Sequence, residues 1–430
     1  MLEDDRLPPA YVQVIAATLG VGLLIGSTVI GWYSLDVFRG PKEIAFRTEA
    51  ILLAVILVFA ATAAGSGWRV MIAGWGRLEV LLPLAIAGWT AVTMLVSTNR
   101  PLSEESLVTV IAALVIFLAT RCIAPHLPLV ALDLCLGIAS INAVFVTAQE
   151  YFGWNPFYFP PEARGHLTST ALVGNPNDVG SYLAAPLIAA IVAVVAVPGW
   201  RRIPYGIATV VLTAGLMASG TRTAIIAAVC GAITLALLRP IRQALAVVLV
   251  MVMTLGVALR PSTTIGQGAR VLVRAAVDRR YDILFSKRLP PFLTAIDMLR
   301  SRPLWGVGPG TFKYHYMDTR MALETRYPAA WTRGWSENFG ETHNDHLQTA
   351  AETGLPGYAL FLAAVAVVAF RRRQQTDGDL RSRVGRALRA PLATTFFVLC
   401  LAQFPLQIAA PRLIFLTLSA LVLGWDGGRG

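Results

Sequence analysis

The sequence is poor in charged residues. Of its 430 residues only 14% are charged and 56% are hydrophobic, whereas a soluble domain usually carries about 25% charged residues. This composition excludes an ordinary soluble domain and indicates a membrane protein. The formal net charge is +11, but no basic helix interleaved with aromatic residues is present, so nucleic acid is not an expected partner. The basic residues instead indicate loops that set membrane orientation.

Cysteine is also scarce, and its spacing excludes two further classes of site. The four cysteines lie in or beside apolar segments and form no CxxC motif: Cys122, Cys135, Cys230 and Cys400. They are typical of small buried hydrophobic residues and not of a disulfide framework or a metal cluster. The chain also lacks low-complexity segments and any internal repeat of 20–50 residues, the period typical of solenoid proteins.

Long apolar segments dominate the sequence instead. About 20 apolar residues cross a bilayer as a helix, and twelve segments approach this length: 11–32, 45–64, 79–97, 105–123, 129–152, 178–198, 203–219, 222–238, 242–259, 346–370, 390–409 and 411–425. We therefore predict an all-α, polytopic membrane protein with about 12 transmembrane helices. Only Pro411 and Arg412, at the start of the last segment, interrupt the apolar sequence between the last two segments, which predicts a tight hairpin there.

The distribution of Lys and Arg predicts the orientation. With a cytoplasmic N-terminus, the cytoplasmic side holds sixteen of the 36 basic residues and the opposite short loops hold seven. We predict nine transmembrane helices in residues 1–259, a large periplasmic loop at 260–345, and three transmembrane helices in 346–430. Both termini are then cytoplasmic, and residues 260–345 lie outside the cytoplasm, which in a Gram-negative cell means the periplasmic side of the inner membrane.

The large loop has the signals of short helices. Residues 289–301, LPPFLTAIDMLRS, begin with a proline pair and carry apolar residues at helical spacing, and Pro303 ends them. WGVGPGTF (305–312) then predicts a glycine-rich turn. A second outer loop, 153–177, is rich in Pro, Gly and aromatic residues, which favours an ordered loop at the membrane interface.

Two basic clusters are candidate anion sites. Polar groups buried in lipid are energetically costly, so ionisable residues at the ends of spans are candidates for a function. In SGTRTA (219–224), Arg222 lies between small residues, and its planar guanidinium suits phosphate oxygens. The alternative is an interface anchor that reaches water. In FSKRLPPF (285–292), Lys287 and Arg288 begin the predicted helix, where backbone N–H groups attract anions. The alternative there is a solvated charge pair.

A third cluster, VGNPND (173–178), is polar without being basic. Asn175 and Asn177 lie on either side of a proline, just before the span that begins near Asp178. Asparagine is a preferred residue at the start of a helix, where its side chain accepts a backbone hydrogen bond. Structural capping is the simplest interpretation of this cluster.

The fourth cluster, NFGETHNDHLQTAAETGLPG (338–357), gathers ionisable groups beside an apolar segment. His343 and His346 are three residues apart, so on a helix they would share a face. A metal site is one interpretation, but no HExxH spacing is present and the other histidines fall in unrelated loops. A neutral histidine at this boundary can instead act as a general base, and a solvated helix end is the third possibility. Three acidic residues could orient such a base: Glu341, Asp345 and Glu352.

The predicted topology brings three of these residues to one side of the membrane. Arg222, Arg288 and His343 each lie near the end of a span or in the large loop. Two arginines and a histidine around one cavity suit a reaction with a phosphate leaving group, because cations stabilise the departing pyrophosphate and a base activates the attacking hydroxyl.

The motifs resemble those of the O-antigen ligase and polymerase superfamily. The resemblance covers about residues 165–360 and rests on four segments: HN at 343–344 followed by Gly354 and Gly357, GVGPGTF at 306–312, SGTR at 219–222, and GNPN at 174–177. It implies a membrane glycosyltransferase of the GT-C type that needs no metal or cofactor. Such enzymes take a glycan from undecaprenyl pyrophosphate on the periplasmic face, and the ligases attach it to a sugar hydroxyl of the lipid A core.

The resemblance also assigns roles to individual residues. It implies that His343 is the base and that Arg222 and Arg288 contact the pyrophosphate. Lys287, Arg279 and Arg280 are close enough in sequence to replace Arg288. Further residues are expected to support the site: Arg164, Asn175, Asn177, Asn344 and His346.

Three other functions remain open at the level of the sequence. A polymerase would join repeat units, and a protein O-oligosaccharyltransferase would use a Ser or Thr hydroxyl, and both share the donor motifs. A secondary transporter would fit twelve spans, but related halves are not visible in this sequence.

Overall fold

The computed structural model of the chain describes residues 9–31, 37–63, 75–156, 169–238, 264–278, 288–326, 338–371 and 379–425. These residues form fourteen α-helices and no strand: α1 (Pro9–Thr28), α2 (Arg39–Ala63), α3 (Arg77–Leu95), α4 (Arg100–Ile123), α5 (Val130–Phe152), α6 (Pro176–Ala196), α7 (Ile203–Ala218), α8 (Arg222–Leu237), α9 (Thr264–Val277), α10 (Leu289–Ser301), α11 (Phe312–Arg326), α12 (Asp345–Phe370), α13 (Leu380–Cys400) and α14 (Ala409–Trp425). The prediction of an all-α fold is confirmed.

Helices long and apolar enough to cross a membrane are frequent in the described part of the chain. Seven meet both criteria, namely α1 to α6 and α12, and the shorter helices α8 and α14 are also apolar. The protein is therefore a polytopic membrane protein, as the sequence predicts. The predicted span at 242–259 lies outside the described residues. Three short helices, α9 to α11, occupy the region predicted to be the large loop.

Helix α6 lies at the centre of the bundle. It packs against α5, α7, α8, α13 and α14, and most of its residues are buried. Its small residues allow close approach, as expected for helix packing in membranes. Gly180 is the clearest case, because a Cβ atom there would lie 2.4 Å from the Cβ of Thr221 at the start of α8.

The bundle has two chemically distinct ends. One end carries α10, α11 and the segments 96–99, 219–221 and 401–408, and we call it the loop end. Contacts across large sequence separations hold it together, including one between the Arg39 and Asp178 side chains. At the opposite end, Arg121 pairs with the buried carboxylate of Glu79 at 2.9 Å.

The predicted hairpin at Pro411 and Arg412 is wrong. Helix α13 ends at Cys400, α14 begins at Ala409, and an irregular segment of eight residues, 401–408, joins them. Arg412 lies in the first turn of α14. Its guanidinium pairs with the carboxylate of Glu43, which compensates its charge, so the helix can include Arg412. The hydropathy pattern extended the span to 409 because several residues of this segment are apolar.

Gly354 kinks α12 and fixes the glycine-rich turn against it. Its φ of 72° and ψ of −179° are not helical, and Leu355 N, released by the kink, donates to Pro303 O at 2.8 Å. A Cβ atom at Gly354 would lie 2.2 Å from Leu304 O. On the other side of the turn, Val307 N donates to Ala351 O at 2.9 Å. The turn is thus anchored to α12 by its backbone.

Replacing Gly354 with alanine should destabilise the protein. The left-handed φ alone costs a residue with a Cβ atom about 1–2 kcal/mol, and the contact with Leu304 O adds to that cost. We expect a lower midpoint of thermal unfolding, measured by tryptophan fluorescence in detergent. Gly88→Ala is the matched control, because nothing lies within 4 Å of a Cβ there and alanine favours the helix. Equal stability of the two variants would contradict the assigned role of Gly354.

Candidate functional site

His343 lies just before α12 and not within it. Its φ of 56° is in the left-handed region, which a residue other than glycine rarely adopts and which is often found at functional sites. Asn344 is the N-cap, and its Oδ1 accepts a hydrogen bond from Leu347 N at 2.9 Å. The expectation that His343 and His346 share a helix face is therefore wrong, because the helix begins between them.

A set of short hydrogen bonds holds the backbone at His343 in this conformation. Thr342 Oγ1 donates to Asn344 O at 2.6 Å and accepts from Asn344 N at 3.0 Å. Thr342 N donates to Gln348 Oε1 at 3.1 Å, and Asn344 Nδ2 donates to Leu401 O at 2.8 Å. The strained turn is thus tied both to α12 and to the 401–408 segment.

The His343 ring is held by aromatic edges. It makes edge-to-face contacts with Phe404 at 4.5 Å and with Phe339 at 5.7 Å between ring centroids. Its Nδ1 atom is buried, and no residue in the described part of the chain forms a hydrogen bond with it. Burial, followed by the charges of Arg288 and Arg39, lowers the pKa of His343 to about 3. The imidazole is therefore neutral near pH 7 and able to accept a proton.

No carboxylate among the described residues orients His343. The three acidic candidates accept hydrogen bonds from other groups: Glu352 from Gly310 N and Phe312 N (2.9 and 3.1 Å), Asp345 from Leu406 N (2.9 Å), and Glu341 from Gln348 Nε2 (2.5 Å). Burial raises the pKa of Glu341, and the hydrogen bond from Gln348 offsets part of that shift. These acidic residues hold the loops around His343 in place and do not contact its ring.

His346 faces away from this site. Its Nε2 lies 3.0 Å from Phe397 O and its Nδ1 lies 3.3 Å from the Tyr358 hydroxyl. The ring packs against Phe397 and Phe361. These contacts are those of a packing residue between α12 and α13.

Arg288 brings a cation close to His343. It precedes α10, and its Nη1 donates to the carbonyl of Ala402 in the 401–408 segment. Burial, followed by the charge of Arg222, lowers the pKa of Arg288 to about 10, and Arg288 in turn lowers the pKa of His343. Arg288 therefore lies within electrostatic range of both Arg222 and His343. Arg164, Arg279, Arg280 and Lys287 lie outside the described residues.

Arg222 is exposed at the start of α8. Its guanidinium lies against α9, where a Cβ atom on Gly268 would come within 3.3 Å of Arg222 Nε. Within the described ranges Arg222 forms no ion pair with an acidic residue. The preceding Thr221 donates through Oγ1 to Pro176 O at 2.9 Å, so the SGTR segment is attached to the start of α6.

The two asparagines at the start of α6 have structural contacts. Asn175 is the N-cap, as the sequence predicts, and its Oδ1 accepts from Asn177 N at 2.9 Å. Asn177 Oδ1 lies 3.5 Å from Gln403 Nε2. The GNPN segment therefore borders the 401–408 segment, which also contacts Arg288 and His343.

Arg39 is a further cation at the site, and sequence reasoning missed it. Its Nε and Nη2 atoms donate to the two carboxylate oxygens of Asp178 at 3.0 and 3.2 Å, and its guanidinium lies 5.5 Å from the Phe404 ring centroid. Its charge contributes to the lowered pKa of His343. The only signal in the sequence was its position in an outer loop.

Two cavities lie beside this site. The first, which we call the polar pocket, has a volume of about 270 Å³ and is lined by charged and polar side chains from α2, α4, α11, α12 and α14. The second is an apolar groove of about 330 Å³ between α3, α4, α12, α13 and α14. The two share lining residues, including Glu352, Gln407 and Arg412, so the groove is continuous with the pocket. In the part of the chain that the structure describes, no group of His, Cys, Asp and Glu side chains could hold a metal ion.

Comparison with known proteins identifies one family. Residues 207–362 match the family model described as O-antigen ligase. The matched segment contains Arg222, Arg288 and His343, together with the glycine-rich turn and the kink of α12. No curated protein matches the chain.

Proposed function

We propose that this chain, which belongs to the O-antigen ligase and polymerase superfamily, transfers a glycan from undecaprenyl pyrophosphate to a sugar hydroxyl of the lipid A core. The reaction takes place on the periplasmic face of the inner membrane, and the loop end of the bundle faces the periplasm. One observation carries the proposal. Arg288 lies within electrostatic range of both Arg222 and a neutral, half-buried His343, at one end of a membrane bundle.

The two arginines bind the pyrophosphate of the donor. Arg222 forms no ion pair within the described ranges and is exposed, so its planar set of donors is available to phosphate oxygens. Arg288 is partly buried and uses one N–H group on the Ala402 carbonyl. A cation that is partly desolvated before substrate binds gains more from a bound anion than one fully in water. Both cations neutralise the charge of the leaving undecaprenyl pyrophosphate.

His343 takes the proton of the accepting hydroxyl. The hydroxyl oxygen attacks the anomeric carbon as the bond to the pyrophosphate oxygen breaks, the proton passes to the imidazole, and attack opposite the leaving group inverts the configuration. The imidazole is neutral before reaction, as a general base requires. Its pKa of about 3 makes it a weak base until an anion binds nearby.

The pH dependence of the reaction follows from this coupling. Bound pyrophosphate neutralises Arg288 and adds negative charge, and both effects raise the pKa of His343 above its value of about 3 in the free protein. We therefore expect the acid limb of kcat to lie at a higher pH than the acid limb of kcat/KM for the donor. Both profiles are measured from the rate of transfer across the acid and neutral range. Coincident limbs would argue against this coupling.

The acceptor determines which member of the superfamily this chain is. The purified protein is incubated with an undecaprenyl-pyrophosphate glycan and, separately, with lipid A core, a second carrier-linked repeat unit or a pilin-like protein. Extension of the lipid A core alone supports the ligase. Extension of the carrier-linked unit makes the chain a polymerase, and extension of the protein makes it a protein O-oligosaccharyltransferase.

A further inference from the structure

The polar pocket adjoins the segment just upstream of His343, and its lining does not include the two arginines proposed to bind the donor. Gly340 and Glu341, just upstream of His343, form part of its wall, and so does Arg39. Neither Arg222 nor Arg288 lines it. The pocket and the two arginines therefore have no residue in common, and a molecule in the pocket would contact the His343 loop through Gly340 and Glu341.

The formal charges of the residues that line the pocket balance. Its lining contains four carboxylates and four cations: Glu43, Glu105, Glu341, Glu352, Arg39, Arg47, Lys313 and Arg412. Most of them already pair with each other or with a neighbour. Arg47 and Arg412 pair with Glu43, and Arg39 pairs with Asp178. A pocket of this kind does not attract a net charge, but it is rich in fixed hydrogen-bond donors and acceptors.

Two side chains in the lining of the pocket can still form hydrogen bonds with a ligand. Lys313 is exposed on α11 and forms no hydrogen bond or ion pair within the described ranges. Glu341 is half-buried, and among the described residues its hydrogen bond comes from Gln348 to Oε2. An ammonium and a carboxylate form charge-assisted hydrogen bonds, which are stronger than those between neutral groups. Because each sugar hydroxyl can both donate and accept, neighbouring hydroxyls can use both groups at once.

We propose that the polar pocket binds the terminal sugar of the acceptor, and that this sugar is uncharged. This inference rests on the proposed function. Lys313 and Glu341 are the contact residues, and the accepting hydroxyl points toward His343. The cavity volume of about 270 Å³ is close to the lower end of small-molecule sites, which fits one sugar unit and not a long glycan.

The stereochemistry of the reaction favours this position for the acceptor. Inversion requires the attacking hydroxyl and the leaving pyrophosphate to lie on opposite sides of the anomeric carbon. The arginines supply a site for the leaving group, and the pocket supplies a separate site for the nucleophile, with Glu341 of the pocket wall two residues from His343. A donor glycan in the polar pocket would leave the acceptor without a polar site beside Glu341.

The test separates acceptor binding from donor binding. Lys313→Met and Glu341→Gln remove one charge each while nearly preserving side-chain size. Asp318→Asn is the matched control, because Asp318 is also exposed and charged on α11 but does not line the pocket. Michaelis constants are measured for undecaprenyl-pyrophosphate glycan and for lipid A core with purified full-length protein. We expect each pocket variant to raise the constant for lipid A core about tenfold or more, the loss expected for one hydrogen bond to a charged group, and to leave the donor constant unchanged.

A second measurement does not depend on turnover. Binding of lipid A core alone is measured by calorimetry, for a core with an uncharged terminal sugar and for the same core phosphorylated on that sugar. The wild type should bind the uncharged core more tightly, and both pocket variants should weaken that binding. Unchanged acceptor binding in both variants, or a raised donor constant instead, would overturn the pocket assignment. Wild-type protein that binds the core through this pocket yet transfers no glycan would overturn the proposed function and leave the pocket standing.

Discussion

The variant His343→Ala should transfer glycan about 10²–10⁴-fold more slowly than the wild type, which is the usual contribution of a general base. The variant should lose the general base but keep the fold of the turn at residue 343. The hydrogen bonds that shape the turn come from Thr342 and Asn344, and alanine preserves their backbone and side-chain groups. Alanine also removes a buried nitrogen that lacks a hydrogen-bond partner among the described residues, which offsets part of the lost contact with Phe404. Transfer is measured in vitro with undecaprenyl-pyrophosphate glycan and lipid A core.

Two further variants make this prediction specific. His343→Asn retains a residue type that tolerates the left-handed φ but removes the base, so it should be folded and equally slow. His126→Gln replaces a histidine at the opposite end of the bundle and should leave the rate unchanged. Folding of all three variants is checked by gel filtration and thermal unfolding in detergent. A folded His343→Ala protein with wild-type transfer would exclude the base assignment.

The helices of this protein could be predicted well because their signal is local. A helix in a membrane has to satisfy its own backbone hydrogen bonds and present apolar side chains, so composition alone marks it. The prediction for 289–301 matches α10, because the proline pair and Pro303 mark both ends. The irregular segment 401–408 was not predicted, because apolar composition alone does not distinguish an apolar irregular segment from part of a span.

The candidate site could be predicted only in part, for a physical reason. Motifs identified Arg222 and His343, since each lies in a short segment of recognisable composition. Arg39 was not identified, because its place at the site depends on a contact with Asp178, 139 residues away, and local patterns carry no information about such contacts. The role of Phe404 beside His343 was hidden for the same reason.

The separation of the two histidines, in contrast, follows from a local rule. A shared helix face for His343 and His346 is incompatible with Asn344 as the N-cap of the helix, a position that asparagine commonly takes. With Asn344 as the N-cap, His343 falls outside the helix and can adopt a strained conformation, while His346 falls in the first turn and packs against α13. Helix capping by Asn344 therefore gives the two histidines different environments.

Replacing Arg222 with lysine should also slow glycan transfer strongly, although the positive charge is retained. We expect transfer to fall about 10²-fold or more, within the range found for loss of one positioned donor, because the ammonium of lysine is a point charge and cannot replace a planar set of donors on pyrophosphate oxygens. Arg222→Ala should be at least as slow. The Michaelis constant for the donor and the maximal rate are both measured. Loss of a contact that strengthens as the leaving group departs lowers the maximal rate.

The geometry around Arg222 supplies an independent test of the same contact. Gly268 of α9 leaves room for the guanidinium, and a Cβ atom there would lie within 3.3–3.4 Å of three of its atoms. Gly268→Val should therefore displace the guanidinium and slow transfer while Arg222 itself stays intact. Arg100→Lys is the matched control, because Arg100 is exposed at the same end of the bundle and pairs with Glu104 on its own helix, a surface interaction worth about 0–1 kcal/mol. Wild-type transfer by both Arg222→Lys and Gly268→Val would make Arg222 an interface anchor, and the donor pyrophosphate would then depend on Arg288.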